Sequence, residues 1–112
     1  MTELYAQGDL LFERLTLANV SGTIVDPGED GGHLLAEGEA TGHKHVIYGQ
    51  VCMFRDDGLA CDLPSGLYVG HLKVADATVV HDEHAPLSLP AGTYRVRRQR
   101  QLEPRNAHLI AD

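Results

Sequence analysis

Turn-forming residues punctuate this chain at intervals of roughly ten residues, a spacing that favours short strands over helices. Twelve glycines and five prolines are distributed among runs rich in Val, Leu, Ile, Thr and Tyr. Helix-period patterning is mostly absent, and the runs have strand length. The pattern predicts strands over residues 9–17, 23–25, 34–38, 45–54, 68–74, 78–80, 87–89 and 93–102, with a loop over 25–32 and a hairpin turn at Asp56-Asp57-Gly58. About eight short strands with no long helix predict an all-β fold, a small jelly-roll-like or closed antiparallel β-barrel that removes exposed edges and can enclose a small cavity. An immunoglobulin-like sandwich is the alternative, but the chain has no tryptophan, and Cys52 and Cys61 are too close in sequence for the usual inter-sheet bridge. With 112 residues, one all-β domain over 1–112 is expected, its tail from residue 103 onward more loosely packed.

The last long run has two faces. Side chains alternate along a strand, so Tyr94 and Val96 are expected inward and Arg95 and Arg97 toward water. Strict alternation then gives Arg98 and Arg100 the inward side, unless a bulge at Arg97-Arg98 changes the register. An inward guanidinium needs an anion or an acidic side chain, because an unpaired buried charge is costly. Net charge supports a local rather than a global role for these arginines. The chain carries −7 overall, with eleven acidic and three basic residues in 1–62 against five acidic and six basic in 63–112. Long-range repulsion disfavours nucleic acid as a partner, whereas a local arginine patch can hold a phosphate or carboxylate. With no Trp and only two Phe, there are few platforms for base stacking. No apolar run is long enough to span a bilayer and no targeting pattern opens the chain, so a soluble, cytoplasmic protein with reduced thiols is expected, an extracellular disulfide being the alternative.

Two histidine motifs carry the chemical signal. His43 and His45 flank Lys44, and on a strand this spacing sends both rings to one face about 6–7 Å apart. That separation lets both reach one metal ion, the alternative being a solvated or hydrogen-bonded pair. His81 and His84 are three apart around Asp82-Glu83, so a tight turn is needed to aim both inward. The alternative there is a turn whose histidines cap backbone groups. His71 is a reserve ligand by its parity with Val69.

The segment Gly38-Glu39-Ala40-Thr41-Gly42-His43-Lys44-His45-Val46-Ile47-Tyr48-Gly49-Gln50 resembles the first motif of the cupin superfamily, small jelly-roll barrels that hold one divalent metal. The resemblance implies His43 and His45 as ligands, with Gln50 in the approximate place of the family's glutamate. Pro90-Ala91-Gly92 resembles part of the second cupin motif, but the expected histidine would fall at Arg95, so His84 or His81 would have to replace it. The stretches 38–45 and 84–100 together also resemble a group of small bacterial proteins of unknown function, which implies no activity.

The main functional expectation is therefore a divalent-metal-binding barrel, enzymatic or not, with a metal-dependent enzyme acting on a small organic acid or similar ligand as its enzymatic form. His43, His45 and His84 would be its ligands, with Gln50 or His81 as the fourth group. Imidazole donors suit Zn, Ni, Fe, Cu or Mn. Arg98, Arg100 and Tyr94 would bind a small anionic substrate such as an organic acid. The alternative expectation is a non-enzymatic binding or assembly module that uses the arginine-rich C-terminal strand for a partner or, through the edge of 93–102, for a homodimer. No membrane partner is expected.

Overall fold

In the computed structural model, residues 3–16, 22–38, 42–56, 58, 62–64 and 66–99 are described, together with the backbone of 108–110. They form an all-β fold of nine strands: β1 (Glu3–Gln7), β2 (Leu10–Leu15), β3 (Thr23–Val25), β4 (His33–Glu37), β5 (Lys44–Arg55), β6 (Tyr68–Val80), β7 (Leu87–Leu89), β8 (Gly92–Arg98) and β9 (His108–Ile110). Their hydrogen-bonded order is β3-β5-β6-β8-β2-β1-β9, with β4 also on β5 and β7 also on β6. No helix among the described residues is long and apolar enough to cross a membrane.

The expected closed barrel is corrected, because the sheet has free ends and does not close on itself. Beyond β2, the neighbour of β1 is β9, which it meets in parallel at Glu3↔His108 through Tyr5↔Ile110. The approach of β1 to the β6–β7 region is made by one side chain. The Gln7 amide donates to the Val79 carbonyl at 3.0 Å and to the Ala85 carbonyl at 2.9 Å. The sheet curls toward closure there, but a side chain crosses the seam in place of a ladder.

Strand residues alternate as the sequence pattern requires. Leu10 and Phe12 of β2, Leu72 and Val79 of β6, Ile47 of β5, and Tyr94 and Val96 of β8 are fully or almost fully buried in one apolar cluster. At about 25 cal/mol per Å² of apolar surface removed from water, each such side chain contributes roughly 1.5–3 kcal/mol. The two runs expected at 68–74 and 78–80 are one strand. Ala75 is the extra residue of a bulge in β6, opposite the step from Gln50 to Val51 of β5, and the pairing resumes beyond it at Asp76. Residues 3–7, outside the expected strands, form β1. It turns into β2 through Gly8 and Asp9, with Gln7 paired to Leu10. Gly8 has φ 59° at the first turn position, as a II′ hairpin turn requires.

Two expectations about the arginine-rich run also change. β8 pairs with β6 on one side and β2 on the other, so its hydrogen-bonding groups are taken and it is no free edge for dimerisation by sheet extension. Its register on β2 is unbroken from Thr93 to Arg98, so no bulge intervenes and Arg98 shares the face of Tyr94 and Val96. Arg95 and Arg97 have the opposite parity but do not face water freely. Arg97 is buried, and Arg95 Nε donates to Glu13 at 2.7 Å while its Nη1 donates to Asp62 at 2.6 Å. Arg97 Nε lies 3.6 Å from the second oxygen of Glu13. Two carboxylates, Glu13 on β2 and Asp62, therefore offset the charge of Arg95 and Arg97 that the sequence presents as surplus.

Candidate functional site

Five parts of the fold deliver polar side chains to one small cavity. The β1–β2 turn supplies Asp9, the end of β4 supplies Glu37, the start of β5 and the residue before it supply His45 and His43, the β6–β7 connection supplies His81, Glu83 and His84, and β8 supplies Arg98. The cavity has a volume of about 160 Å³. At about 30 Å³ per liquid-like water, that is room for roughly five water-sized groups.

The rings stack. His45 lies 4.2 Å from His81 between centroids, at 37° between planes, and His81 lies 4.6 Å from His84 at 44°. His45 and His84 are nearly parallel, 6.2 Å apart and tilted by 13°. His43 meets His81 edge to face at 5.7 Å. His45 is the buried member, and its environment fixes its tautomer. The Gln7 amide nitrogen faces two carbonyls, which can only accept, so its oxygen must be the group that faces His45 Nδ1 at 2.9 Å. His45 therefore donates from Nδ1 and carries a lone pair at Nε2. Burial, followed by the neighbouring His81, lowers its pKa to about 4, against the weaker opposing effect of Asp9. His45 is thus neutral at physiological pH.

His81 has a different task. Its Nδ1 accepts from the backbone N–H of Glu83 at 3.0 Å and of His84 at 3.3 Å, capping the turn. His43 Nδ1 contacts a carboxylate oxygen of Glu83. A second correction follows. Among the described residues no group of three or more His, Cys, Asp or Glu side chains is disposed to hold a metal ion. The expected Zn, Ni, Fe, Cu or Mn site, and with it the metal-binding function, is therefore withdrawn. The structure brings His43, His45, His81 and His84 together, but Nδ1 of His45 is taken by Gln7, Nδ1 of His81 by the turn backbone and Nδ1 of His43 by Glu83.

The other expected site residues are dispersed. Gln50 is exposed and borders a separate groove with Cys52, a free thiol, and Lys73. Tyr94 is fully buried, donates its hydroxyl to the Pro90 carbonyl at 2.6 Å, and has its pKa pushed up to about 12 by burial. His71 is buried on the far face. It hydrogen-bonds Tyr68 at 2.6 Å and stacks on Phe54 at 5.7 Å, and its pKa is lowered by burial and then by Arg95. Arg100 and Cys61 lie outside the described residues.

Arg98 does reach the cavity. Its Nη1 lies 3.4 Å from one oxygen of Asp9, whose other oxygen lies 3.7 Å from His45 Nε2. Both contacts are long beside the 2.7–2.9 Å of a strong charge-assisted hydrogen bond, so Asp9, itself more than half exposed, is held loosely. Sequence reasoning missed Gln7 and Gly8. The signal was present, since Gly8-Asp9 between the apolar runs Leu4-Tyr5-Ala6 and Leu10-Leu11-Phe12 is a two-residue hairpin pattern. A Cβ at Gly8 would lie 2.8 Å from His84 Nε2 and 3.2 Å from His45 Cε1, so the bare glycine is what lets both rings approach the turn.

Residues 6–99 match a family described as Domain of unknown function (DUF8820), and the chain belongs to it. No curated protein and no solved structure matches the chain, and no link to the cupin superfamily emerges.

Proposed function

We propose that this DUF8820 member is a non-enzymatic binding module that takes a small carboxylate in the histidine-lined cavity, with Arg98 of the arginine-rich strand as anchor. The observation that carries this reading is the division of labour along β8. Arg95 is committed to Glu13 at 2.7 Å and Asp62 at 2.6 Å, whereas Arg98 meets the half-exposed Asp9 carboxylate at 3.4 Å and faces the cavity. A guanidinium so placed can exchange Asp9 for a ligand oxygen pair and gain a bidentate contact. Two features limit repulsion from the other acidic groups. Glu83 is engaged by His43, and Glu37 is exposed.

Titration of the purified protein with acetate, followed by amide and imidazole chemical shifts, tests the reading. Shifts should concentrate on Asp9, His45, His81 and Arg98. Arg98→Gln should weaken binding by about tenfold or more, as loss of a charge-assisted hydrogen bond implies. Equal binding by wild type and Arg98→Gln would sink the proposal.

A further inference from the structure

We infer that Asp9 is an internal occupant of this site, and that the true ligand is a 2-hydroxycarboxylate which displaces it, placing its carboxylate on Arg98 and its hydroxyl proton on His45 Nε2. The inference rests on the carboxylate reading above and adds the chemistry beside the carboxylate. Arg98 and His45 are bridged by the two oxygens of one carboxylate, that of Asp9, at 3.4 Å and 3.7 Å. The space between the two side chains is therefore already the size of a carboxylate, and its present occupant belongs to a solvent-exposed turn.

The two ends of that space ask for different chemistry. Arg98 is a donor with no accepting capacity, so it calls for an anion. His45 Nε2 is an acceptor, because Gln7 holds the proton on Nδ1 through its own bonds to Val79 and Ala85. A plain carboxylate offers His45 no proton, which explains why Asp9 stands off at 3.7 Å instead of closing to hydrogen-bond distance. A hydroxyl on the carbon next to the carboxylate supplies the missing donor, and its oxygen can accept from Arg98 in turn. His45 borders the cavity, so a ligand hydroxyl can take the place of water as the donor to its Nε2. The 160 Å³ cavity admits a ligand of that size.

The test compares glycolate with acetate on the whole chain by calorimetry or chemical-shift titration, for wild type and Asp9→Asn. Glycolate should bind about tenfold or more tightly than acetate, the difference being the hydroxyl alone. Asp9→Asn should tighten both ligands by about threefold, because it removes an exposed competing charge. The wild-type comparison needs no variant to fold, and thermal unfolding of Asp9→Asn shows whether the turn is retained. Equal affinities for glycolate and acetate would overturn this inference and leave the carboxylate reading standing. Weaker binding of both ligands by folded Asp9→Asn would show that Asp9 assists the ligand, and would also overturn it. Silence of both ligands on both proteins would overturn the two readings together.

Discussion

At the scale of single residues, the buried imidazole of His45 couples stability to acidity. Its folded pKa of about 4 lies below the ordinary histidine value of 6.5, so between these values the unfolded chain binds a proton that the folded chain refuses. Stability therefore rises with pH through that window and is lost as pH falls from about 6.5 toward about 4. At 1.36 kcal/mol per unit, the full effect is about 3 kcal/mol. His71, also lowered by burial, adds in the same direction. Urea unfolding across this range should show a declining free energy, and His45→Asn should flatten the decline; identical slopes in the two proteins would refute the assignment. Part of this was readable beforehand, because His43-Lys44-His45 on a strand must share a face and His81 in a turn can cap a backbone N–H. The tautomer was not readable. It depends on Gln7, which is 38 residues from His45 and is aimed by two carbonyls that only the folded seam supplies.

Among the elements, the β1–β2 hairpin does more than connect two strands. Its two-residue turn holds Gly8 at φ 59° and sets Asp9 over the cavity, while Gln7, the last residue before it, grips the opposite side of the seam. Replacement of Gly8 by Ala imposes a left-handed conformation on a residue with a Cβ, at a cost of roughly 1–2 kcal/mol. The same Cβ would also push His84 and His45 from the turn. We expect Gly8→Ala to lower the unfolding midpoint and to shift the His45 and His84 ring resonances, whereas Gly66→Ala, also at positive φ but with nothing near its Cβ, should affect stability alone. Unchanged imidazole resonances in folded Gly8→Ala would show that the turn does not shape the cavity. Short strands bounded by turn residues, such as 87–89 and 23–25, are visible in the sequence to the residue. β6 is not, because its bulge inverts the alternation midway and makes one strand resemble two.

Over the whole molecule, turn spacing and alternation establish an all-β chain but do not say which strands meet, because pairing partners lie far apart in sequence. Closure is the property that depends most on such partners. The barrel expectation failed at the β1–β7 seam, where β9 takes a side of β1 and Gln7 bridges the rest. This architecture has a measurable consequence in native-state amide exchange, which reports the opening free energy of each segment. β6 is flanked by β5 on one side and by β7 and β8 on the other, and it contributes Leu72 and Val79 to the core with no exposure. β3 and β7 are three residues each and pair with one neighbour, β3 with β5 and β7 with β6. The hydrogen-bonded amides of β6 and β8 should therefore exchange slowest, and those of β3 and β7 faster by at least about a hundredfold. A closed barrel predicts otherwise, since a ladder between β1 and β7 would protect β7 on both sides and tie its opening to that of β6. Protection of β7 equal to that of β6 would restore the barrel. A gradient from β6 outward to β7 would establish an open sheet whose seam is held by the Gln7 amide, and Gln7→Leu should then steepen that gradient at β7 while leaving β5 and β8 unchanged relative to each other.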